Sequence, residues 1–451
     1  MGRPPHTTDS TVPARDAEAA SSPARVILAS LVGTSLEWYD FFLYGSAAAL
    51  VFNKLFFPGF DPATGTLLAF ATYAVGFLAR PLGGIFFGHI GDRLGRKGAL
   101  VATLLLMGLS TVLIGVLPTY DTVGVAAPIM LVALRFVQGL GLGGEWGGAV
   151  LMSMEHGSPD RRGLNASWPQ VGVPVGNLLA TGVLALLSAT LSNDAFLSWG
   201  WRIPFLLSGV LVLVGLWIRT TIAESPLFTE VQEQQAKARM PILDVLREHP
   251  RELLVAVGAR LGTDVAFYTF TLFILSYVAT TLKLPRELAL NAVLVGSAAQ
   301  LVLIPLFGSL SDRVGRRPVY LFGALGAAVW VFVFFTLLET RSTPAIVAAA
   351  VVGLFFHAAM YGPQAAFIAE LFGTRLRYSG ASIGYQLAGV LGGALAPLIS
   401  IALFDRFQTS LAVSLYVLAA LLVTIVSVAA APETSRLGLR ADAPAERVAA
   451  H

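Results

Sequence analysis

Twelve long apolar runs set the limits on what this chain can fold into. The sequence has 451 residues, of which 55% are hydrophobic and 13% are charged, and its mean hydropathy is +0.73. A soluble domain carries about 25% charged residues, whereas a helix that crosses a bilayer needs about 20 apolar residues in a row. The runs are too long for strands and do not alternate. They predict an all-α membrane protein with spans at residues 25–52, 64–87, 99–117, 125–154, 163–190, 199–219, 251–281, 287–308, 319–338, 344–369, 379–403 and 409–430.

A charged turn between two of these runs occurs twice. Gly88–Lys97 reads Gly-His-Ile-Gly-Asp-Arg-Leu-Gly-Arg-Lys, and Gly308–Arg317 reads Gly-Ser-Leu-Ser-Asp-Arg-Val-Gly-Arg-Arg. Self-similarity at a fixed offset indicates internal duplication. The longest polar connector, Thr220–Pro250, divides the runs evenly. We therefore predict two pseudo-symmetric six-helix halves at 25–219 and 251–430, a connector at 220–250 and two tails at 1–24 and 431–451.

The distribution of Lys and Arg predicts the orientation. Most of these residues lie in the charged turns, in the Arg161-Arg162 and Arg375–Arg377 loops and in the connector, all on one side of the predicted bundle. Because basic loops face the cytoplasm, we expect both termini to be cytoplasmic. We expect the chain to cross the cell membrane many times, with the lipid bilayer as its surroundings.

The basic loops also contain acidic partners. Glu155 and Arg162 are separated by six residues, and Glu370 and Arg377 repeat that spacing. Exposed pairs contribute only about 0–1 kcal/mol each, so several can hold one conformation and still open when a ligand binds. The alternative is that these charges only set the topology. The predicted cytoplasmic gate comprises Asp92, Arg93, Arg96, Glu155, Arg162, Asp312, Arg313, Arg316, Glu370 and Arg377.

Specific partners follow from helix polarity. We expect Arg93 and Arg96 to pair with Glu155, and Arg313 and Arg316 to pair with Glu370. A carboxylate is stabilised at the positive N-terminus of a helix. Asp92 is therefore predicted to face the start of span eleven near Ser379, and Asp312 the start of span five near Gly163.

Ionisable residues inside the spans need a reason, because each costs about 2.5–3.5 kcal/mol on insertion scales. Span one contains Glu37 and Asp40, three positions apart and so on one helix face. At a rise of 1.5 Å per residue, Asp40 lies about 22 Å into the bilayer and Arg135 of span four about 15 Å from the other side. Asp40 and Arg135 can then meet, and a carboxylate beside Arg can alternate between paired and protonated forms. Glu37 is the second candidate for the proton, and a static ion pair is the alternative.

Further polar residues in the spans are candidates for substrate contact. Glu145 has Arg80 as a plausible partner, and Arg260 and Asp264 are spaced for a local ion pair that would neutralise both. The buried arginines favour an anionic ligand, since guanidinium matches carboxylate. His357 is either a hydrogen-bonded core residue or a proton relay. The predicted substrate-binding set is Arg135, Arg260, Asp264, Trp168, Gln170, Asn177, His357, Tyr361, Gln364, Tyr385 and Gln386.

The chain resembles the major facilitator superfamily in both charged turns and in both Glu-x6-Arg pairs. Within it, the chain is similar to the metabolite/proton symporter family, and the first half is similar to shikimate permeases. That narrower resemblance rests on four segments, Glu37–Phe41, Ala79–Gly84, Arg135–Gly148 and Ser198–Pro204. The resemblance implies that the acid of span one takes the proton and the Arg of span four tunes it. It also implies an alternating-access fold with a site between the halves, and we expect a monomer.

Several other functions find no support. Gly139–Gly144 fits G-x-G-x-x-G but follows no strand, so it favours helix packing rather than a dinucleotide. No P-loop sequence occurs, and cysteine is absent. We expect no enzyme activity, cofactor, metal or nucleic acid. The sequence predicts a proton symporter for a small organic acid. A uniporter or exchanger, a symporter for a zwitterion such as proline or betaine, and a membrane sensor are the alternatives.

Overall fold

The computed structural model describes residues 23–94, 96–141, 150–151, 153–154, 158–221, 241–373 and 376–435. These residues form helices and short connections, and no strand occurs among them. The prediction of an all-α protein is confirmed. Long helices follow from the apolar runs, because in a membrane a helix satisfies every backbone N–H and C=O within its own segment.

Twelve helical segments lie where the sequence predicts spans. They are α1 Pro23–Ala47, α2 Pro62–Leu94, α3 Arg96–Val116, α4 Ala126–Gly141, α5 Arg162–Thr190, α6 Arg202–Thr221, α7 Pro250–Tyr268, α8 Arg286–Val314, α9 Arg316–Glu339, α10 Thr343–Glu370, α11 Arg377–Ala388 and α12 Ser410–Ala430. Helical turns extend α1 to Leu55, α7 to Thr281 and α11 to Phe407. In the connector, residues 241–248 form a short helix.

Not all of these segments can cross a bilayer alone by length and composition. Eight described helices are long and apolar enough, and a ninth is counted if Asn193–Gly200 and Arg202–Trp217, bent by 42°, form one span. Val101–Val116 and Ala126–Gly141 are apolar but shorter. Residues 142–149, which follow the second of these helices, lie outside the described part of the chain.

The helices form two groups of six. In the first six, α1 packs on α5, α2 on α4 and α3 on α6, and in the last six, α7 packs on α12, α8 on α10 and α9 on α10. Three main contacts join the groups: α5 lies along α8 and also packs on α10, and α2 lies against the second part of α11. The candidate site is therefore bounded by α1, α2 and α4 on one side and by α7, α10 and α11 on the other.

Wide π-type turns interrupt three of the helices that bound the site. They occur at Ala48–Phe52 after α1, at Thr269–Phe273 and Tyr277–Thr281 after α7, and at Gly389–Ala394 after α11. Such turns are rare in helices overall, and those that occur are often found at functional sites. Gly389 and Gly393 in the last of them lie against the Phe77 ring of α2, so the turn places the two groups of helices in close contact.

A cavity of about 370 Å³ opens between the two groups at the end of the bundle far from the charged turns. Thr66 of α2, Ser276 and Tyr277 after α7 and Phe404 after α11 are among the residues that line it. We call this end the outer face and the end that carries the charged turns the basic face.

Candidate functional site

Asp40 of α1 is 3% exposed and points into the first group of helices. Its Oδ2 accepts a hydrogen bond from Thr111 Oγ1 of α3 at 2.9 Å, and its Oδ1 accepts one from Ser208 Oγ of α6 at 2.7 Å. A buried charge is costly unless it is paired or hydrogen-bonded. Two hydroxyl donors thus hold this carboxyl group in one orientation without neutralising it.

Arg135 of α4 is fully buried and is linked to Asp40 through two side chains. Its Nη1 donates to Gln138 Oε1 at 2.6 Å, and Gln138 Nε2 donates to Thr111 Oγ1 at 2.7 Å. The rings of Tyr44 and Phe41 lie 4.3 and 4.5 Å from the guanidinium carbon. Arg135 Nε and Nη2 have no hydrogen-bond partner among the described residues. Asp40, Thr111, Gln138 and Arg135 therefore form one chain of polar contacts.

The expected direct contact between Asp40 and Arg135 is wrong for this structure. No ion pair joins them among the described residues, because Thr111 and Gln138 lie between the two groups. Glu37 and Asp40 also have different surroundings. Glu37 Oε1 is 3.9 Å from Arg80 Nη2 of α2, whereas Asp40 contacts α3 and α6. Three residues span less than one full helical turn, so the two side chains diverge.

Arg80 lies beside Arg135 at the inner side of α1 and α2. It is 3% exposed, and its guanidinium carbon is 4.3 Å from the centre of the Phe41 ring and 4.9 Å from that of Phe77. Arg80 and Arg135 thus share Phe41 as an aromatic neighbour. Glu145, its expected partner, lies outside the described residues.

In the second group, Arg260 and Asp264 of α7 form the local ion pair that their spacing predicts. Arg260 Nε is 2.9 Å from Asp264 Oδ2 and 3.1 Å from Oδ1. Arg260 Nη1 donates to the carbonyl oxygen of Tyr385 at 2.6 Å, and its guanidinium carbon lies 3.1 Å from the centre of the Tyr385 ring. The charge of this arginine is therefore already compensated within its own half.

The polar residues of α10 are buried and hydrogen-bonded. His357 Nδ1 is 2.7 Å from Gln300 Nε2, and its ring stacks on Tyr361 at 5.0 Å. Gln364 Nε2 donates to Tyr320 Oη at 2.7 Å. Because Tyr320 belongs to α9, Gln364 connects helices of one group rather than facing an open space.

The other predicted ligands occupy three kinds of position. Asn177 Nδ2 donates to Ser297 Oγ at 3.0 Å, and Asn177 Oδ1 accepts from Thr181 at 2.9 Å, so this amide joins α5 to α8. Gln170 is buried, and Tyr361 and Tyr385 are 4% and 2% exposed. Trp168 and Gln386 are half-buried. Tyr361, which stacks on His357, and Tyr385, which contacts Arg260, lie together in the second group, whereas Asn177 lies at the α5–α8 interface.

At the basic face, Glu370 is the centre of a buried ion cluster. Its Oε1 is 3.1 Å from Arg162 Nη1 of α5 and 3.2 Å from Arg316 Nη2 of α9. Thr434 after α12 donates to its Oε2 at 2.7 Å. Glu370 and Arg316 are both 1% exposed. The expectation of weak, exposed pairs is therefore wrong here, because the ends of α5, α9 and α10 enclose the charges.

Asp312 makes the contact expected at the start of α5. Its carboxylate accepts from the backbone N–H groups of Gly163 at 2.7 Å and Leu164 at 2.9 Å, and it also pairs with Arg316 Nη1 at 2.7 Å. This is a carboxylate at a helix N-terminus, where the helix dipole favours it. Asp312 and Glu370 thus both connect the second group of helices to α5.

The remaining predicted gate residues are exposed, buried or outside the described part of the chain. Arg313 is exposed, so it does not pair with the buried Glu370 as expected; Arg162 of the other group takes that position. Arg377 is 3% exposed. Glu155 and the side chains of Asp92, Arg93 and Arg96 lie outside the described part of the chain.

Glu433, after α12, caps the start of α9. Its carboxylate accepts from the N–H groups of Arg316 at 2.8 Å and Arg317 at 3.1 Å. Burial alone raises the pKa of Glu433, but these N–H groups and that of Ser435 outweigh it and hold the pKa below its ordinary value. Gly315 has φ of +106°, and a Cβ there would lie 2.7 Å from Glu433 Oε2. The glycine of the charged turn is needed for this cap.

Sequence reasoning missed several residues that surround the site. Thr111, Ser208 and Gln138 complete the contacts of Asp40, and Tyr73 of α2 and Tyr268 of α7 face each other with ring centres 6.3 Å apart. Hydroxyls and aromatic rings are common in membrane helices, so no spacing marks them. Within the described part of the chain, no group of three or more His, Asp or Glu residues is placed so that it could hold a metal ion.

The chain is similar to known transporters over most of its length. Residues 26–252 match the "Sugar (and other) transporter" family model, and residues 257–448 match the "Major Facilitator Superfamily" model. The shikimate transporter of Escherichia coli (strain K12) is 45% identical over 93% of this chain and 96% of its own. The proline/betaine transporter of the same organism is 32% identical over 93% of this chain and 86% of its own.

Solved structures support the same fold. The xylose transporter XylE from E. coli, in a partially occluded inward-open conformation, has a TM-score of 0.71 to this chain at 21% sequence identity, covering 93% of this chain and 100% of that one. Its likeness concerns the fold alone. The family matches and the relative at 45% identity are all transporters, and the buried charges lie between two groups of helices, as in a transporter of this fold. The chain belongs to the major facilitator superfamily, among its metabolite transporters, and is a membrane transporter rather than an enzyme.

Proposed function

We propose that this transporter is a proton-coupled symporter that imports a small organic acid by alternating access. The observation that carries the proposal is the buried Asp40, held by two hydroxyl donors and connected through Thr111 and Gln138 to the buried Arg135. Ionisable residues at membrane depth mark ion and proton pathways. Asp40 is the proton carrier, and Glu37, beside Arg80, is the second candidate.

The position of Arg135 would couple proton binding to substrate binding. A substrate anion that binds Arg135 competes with Asp40 for the same positive charge, since an opposite charge nearby favours the ionised carboxylate. Protonation of Asp40 relieves that competition. Proton and anion therefore bind more favourably together than separately.

The substrate class is argued from charge and from the relatives. Buried arginines suit a carboxylate, which a guanidinium group binds with two parallel hydrogen bonds. The E. coli relative at 45% identity is a shikimate transporter, and a more distant one is a proline/betaine transporter. A hydroxylated carboxylate is therefore the first candidate and a zwitterion the second.

The conformational cycle is a rocking of the two groups of helices. The basic face is cytoplasmic by its Lys and Arg content, and the monomer is the transporting unit. Here the Glu370 and Asp312 contacts close that face beside α5, while a cavity of about 370 Å³ opens on the outer face. Inward opening requires these contacts to break.

Uptake of radiolabelled shikimate by proteoliposomes, with and without an inward proton gradient, tests the proposal. We expect accumulation only with the gradient. Asp40→Asn should keep counterflow exchange and lose gradient-driven accumulation, whereas Asp61→Asn, which changes an exposed carboxylate near the outer face, should behave as wild type. Normal accumulation by Asp40→Asn would refute the proton assignment. Equal uptake without a gradient would support a uniporter or exchanger, and uptake of proline or betaine alone would support the zwitterion.

A further inference from the structure

Two of the three buried arginines in the site have unused hydrogen-bonding capacity. Among the described residues, Arg80 and Arg135 each lack hydrogen-bond partners at Nε and Nη2, and they are 3% and 0% exposed. A buried donor without a partner is destabilising, and more so when it is charged. Cation–π contact with Phe41 compensates only part of this. Glu37 Oε1 lies 3.9 Å from Arg80 Nη2, which is an ion-pair distance and too long for a hydrogen bond. Four nitrogens of the two arginines therefore have no hydrogen-bond acceptor within the described part of the chain.

Arg260 is different. Asp264 and the carbonyl oxygen of Tyr385 occupy its Nε and Nη1. Its guanidinium group also lies on the Tyr385 ring. An incoming carboxylate would have to displace Asp264, which is itself buried. The distribution of satisfied and unsatisfied donors thus separates Arg260 from the other two.

Two tyrosine hydroxyls complete the site. Tyr73 lies between the two arginines along α2 and α4: its ring is 5.1 Å from the Arg135 guanidinium carbon and 5.5 Å from the Phe77 ring, which also contacts Arg80. Tyr268 of α7 faces Tyr73 from the other group of helices. Both hydroxyls are buried, and neither has a hydrogen-bond partner among the residues that the structure describes. A ligand that bonds both would connect the two halves.

We propose that the substrate carboxylate binds Arg80 and Arg135 beside Phe41, and that Tyr73 and Tyr268 hydrogen-bond its hydroxyl groups, which makes the ligand a hydroxylated monocarboxylate. The inference rests on the proposed function and adds where and how the acid is held. Arg80 and Tyr73 belong to one half and Tyr268 to the other. Binding therefore stabilises the state in which the halves approach each other at this level.

Binding to the purified full-length protein, without any gradient, tests this inference. The probes are shikimate, shikimate methyl ester and 1-cyclohexene-1-carboxylate, which keeps the ring and the carboxylate but lacks the hydroxyls. Kd is measured by isothermal titration calorimetry. We expect shikimate to bind and the ester to fail. Because Lys keeps the charge but loses the two-point contact, Arg80→Lys and Arg135→Lys should each weaken shikimate binding about tenfold or more.

The Tyr→Phe variants test the contacts with the hydroxyl groups of the ligand. Tyr73→Phe and Tyr268→Phe should weaken shikimate binding several-fold and leave binding of 1-cyclohexene-1-carboxylate unchanged. Arg202→Lys is the matched control, since Arg202 donates to the carbonyl oxygens of Gly115 and Leu117 at the end of α3, away from this site. A thermal melt of each variant separates lost binding from lost folding.

Several outcomes would overturn the inference. These are equal binding of acid and ester, wild-type Kd in Arg80→Lys, equal weakening of both carboxylates by the Tyr→Phe variants, or binding of zwitterions with no binding of the acids. Because no gradient is present, failure of proton coupling leaves this test intact. Conversely, gradient-driven uptake with the wrong binding pattern removes this inference alone.

Discussion

At the residue scale, Glu370 is the side chain on which closure of the basic face most depends. Replacing it by Gln removes the buried carboxylate that pairs with both Arg162 and Arg316, although Arg316 keeps its contact with Asp312. Breaking a buried ion pair costs about 3–5 kcal/mol, so Glu370→Gln should favour the inward-open state. The natural chain has no cysteine. A single Ser167→Cys, which is fully buried beside Gly308 of α8, therefore reports opening by its rate of maleimide labelling.

The control is Glu252→Gln, which removes a carboxylate 3.6 Å from His249. That pair is partly exposed, so its loss should change the labelling rate little. Labelling of Ser167→Cys that is no faster with Glu370→Gln than with Glu252→Gln would show that the cluster does not hold this face closed.

Glu433 predicts a pH dependence outside the membrane. Its pKa is lowered in the folded protein, so its contribution to stability is present above the unfolded pKa of 4.5 and lost as pH falls through the folded pKa. The thermal midpoint of the wild type should therefore drop more than that of Glu433→Gln as the pH is lowered from about 6 to about 3. Parallel curves for the two proteins would contradict the proposed role of the α9 cap.

Charged residues of this kind were the most predictable part of the molecule. The contact of Asp312 with the start of α5 and the Arg260–Asp264 pair follow from helix polarity and spacing. The link from Asp40 to Arg135 did not follow. Thr111 lies on α3 and Gln138 on α4. The depth of Asp40 and Arg135 in the membrane does not reveal which side chains lie between them.

At the element scale, the contact between α5 and α8 makes a prediction of its own. A Cβ on Gly163 would lie 2.5 Å from the carbonyl oxygen of Gly308, and one on Gly308 would lie 2.8 Å from that of Gly163. Gly163→Ala should therefore separate the helices at the basic face and raise labelling of Ser167→Cys. Gly182→Ala on the same helix is the control, since its Cβ would meet only Leu294 at 3.7 Å.

The two Gly→Ala variants are expected to differ in both labelling rate and stability. An Ala in a helix is otherwise favoured over Gly by about 1 kcal/mol, so Gly182→Ala should keep or improve stability. If both variants have the same labelling rate and the same thermal midpoint, the close approach of α5 and α8 at this face does not affect its opening.

The positions of the helices were predictable from hydropathy, whereas their irregularities were not. Apolar runs specify that a segment crosses the membrane, and all twelve predicted spans contain helix. The wide turns at Gly389–Ala394 and Thr269–Phe273 carry no distinct pattern, because one extra residue per turn leaves composition unchanged. Tyr268, which directly precedes the turn at Thr269–Phe273, was missed for the same reason.

At the scale of the whole molecule, α5 and α8 are joined at both ends. On the outer face, Ser188 donates to Glu287 Oε1 at 2.6 Å and also accepts from Arg286 Nε, while Arg286 Nη1 donates to Asn193 at 3.1 Å. Arg286 also lies 3.9 Å from the centre of the Phe196 ring. Duplication predicted the two halves and the basic-face contacts, but this outer cluster has no repeated motif and was not foreseen.

The two end clusters should act in opposite directions, which gives a reciprocal test of rocking. Arg286→Gln removes the outer contacts and should favour the outward-open state, while Glu370→Gln favours the inward-open one. Ser276→Cys, which lines the outer cavity, and Ser167→Cys report the two faces. We expect Arg286→Gln to raise labelling at Ser276→Cys and lower it at Ser167→Cys, and Glu370→Gln to do the reverse. Arg341→Gln, in an exposed outer loop, is the control. If either variant raises labelling on both faces together, the halves loosen rather than rock, and alternating access between two rigid groups would not describe this protein.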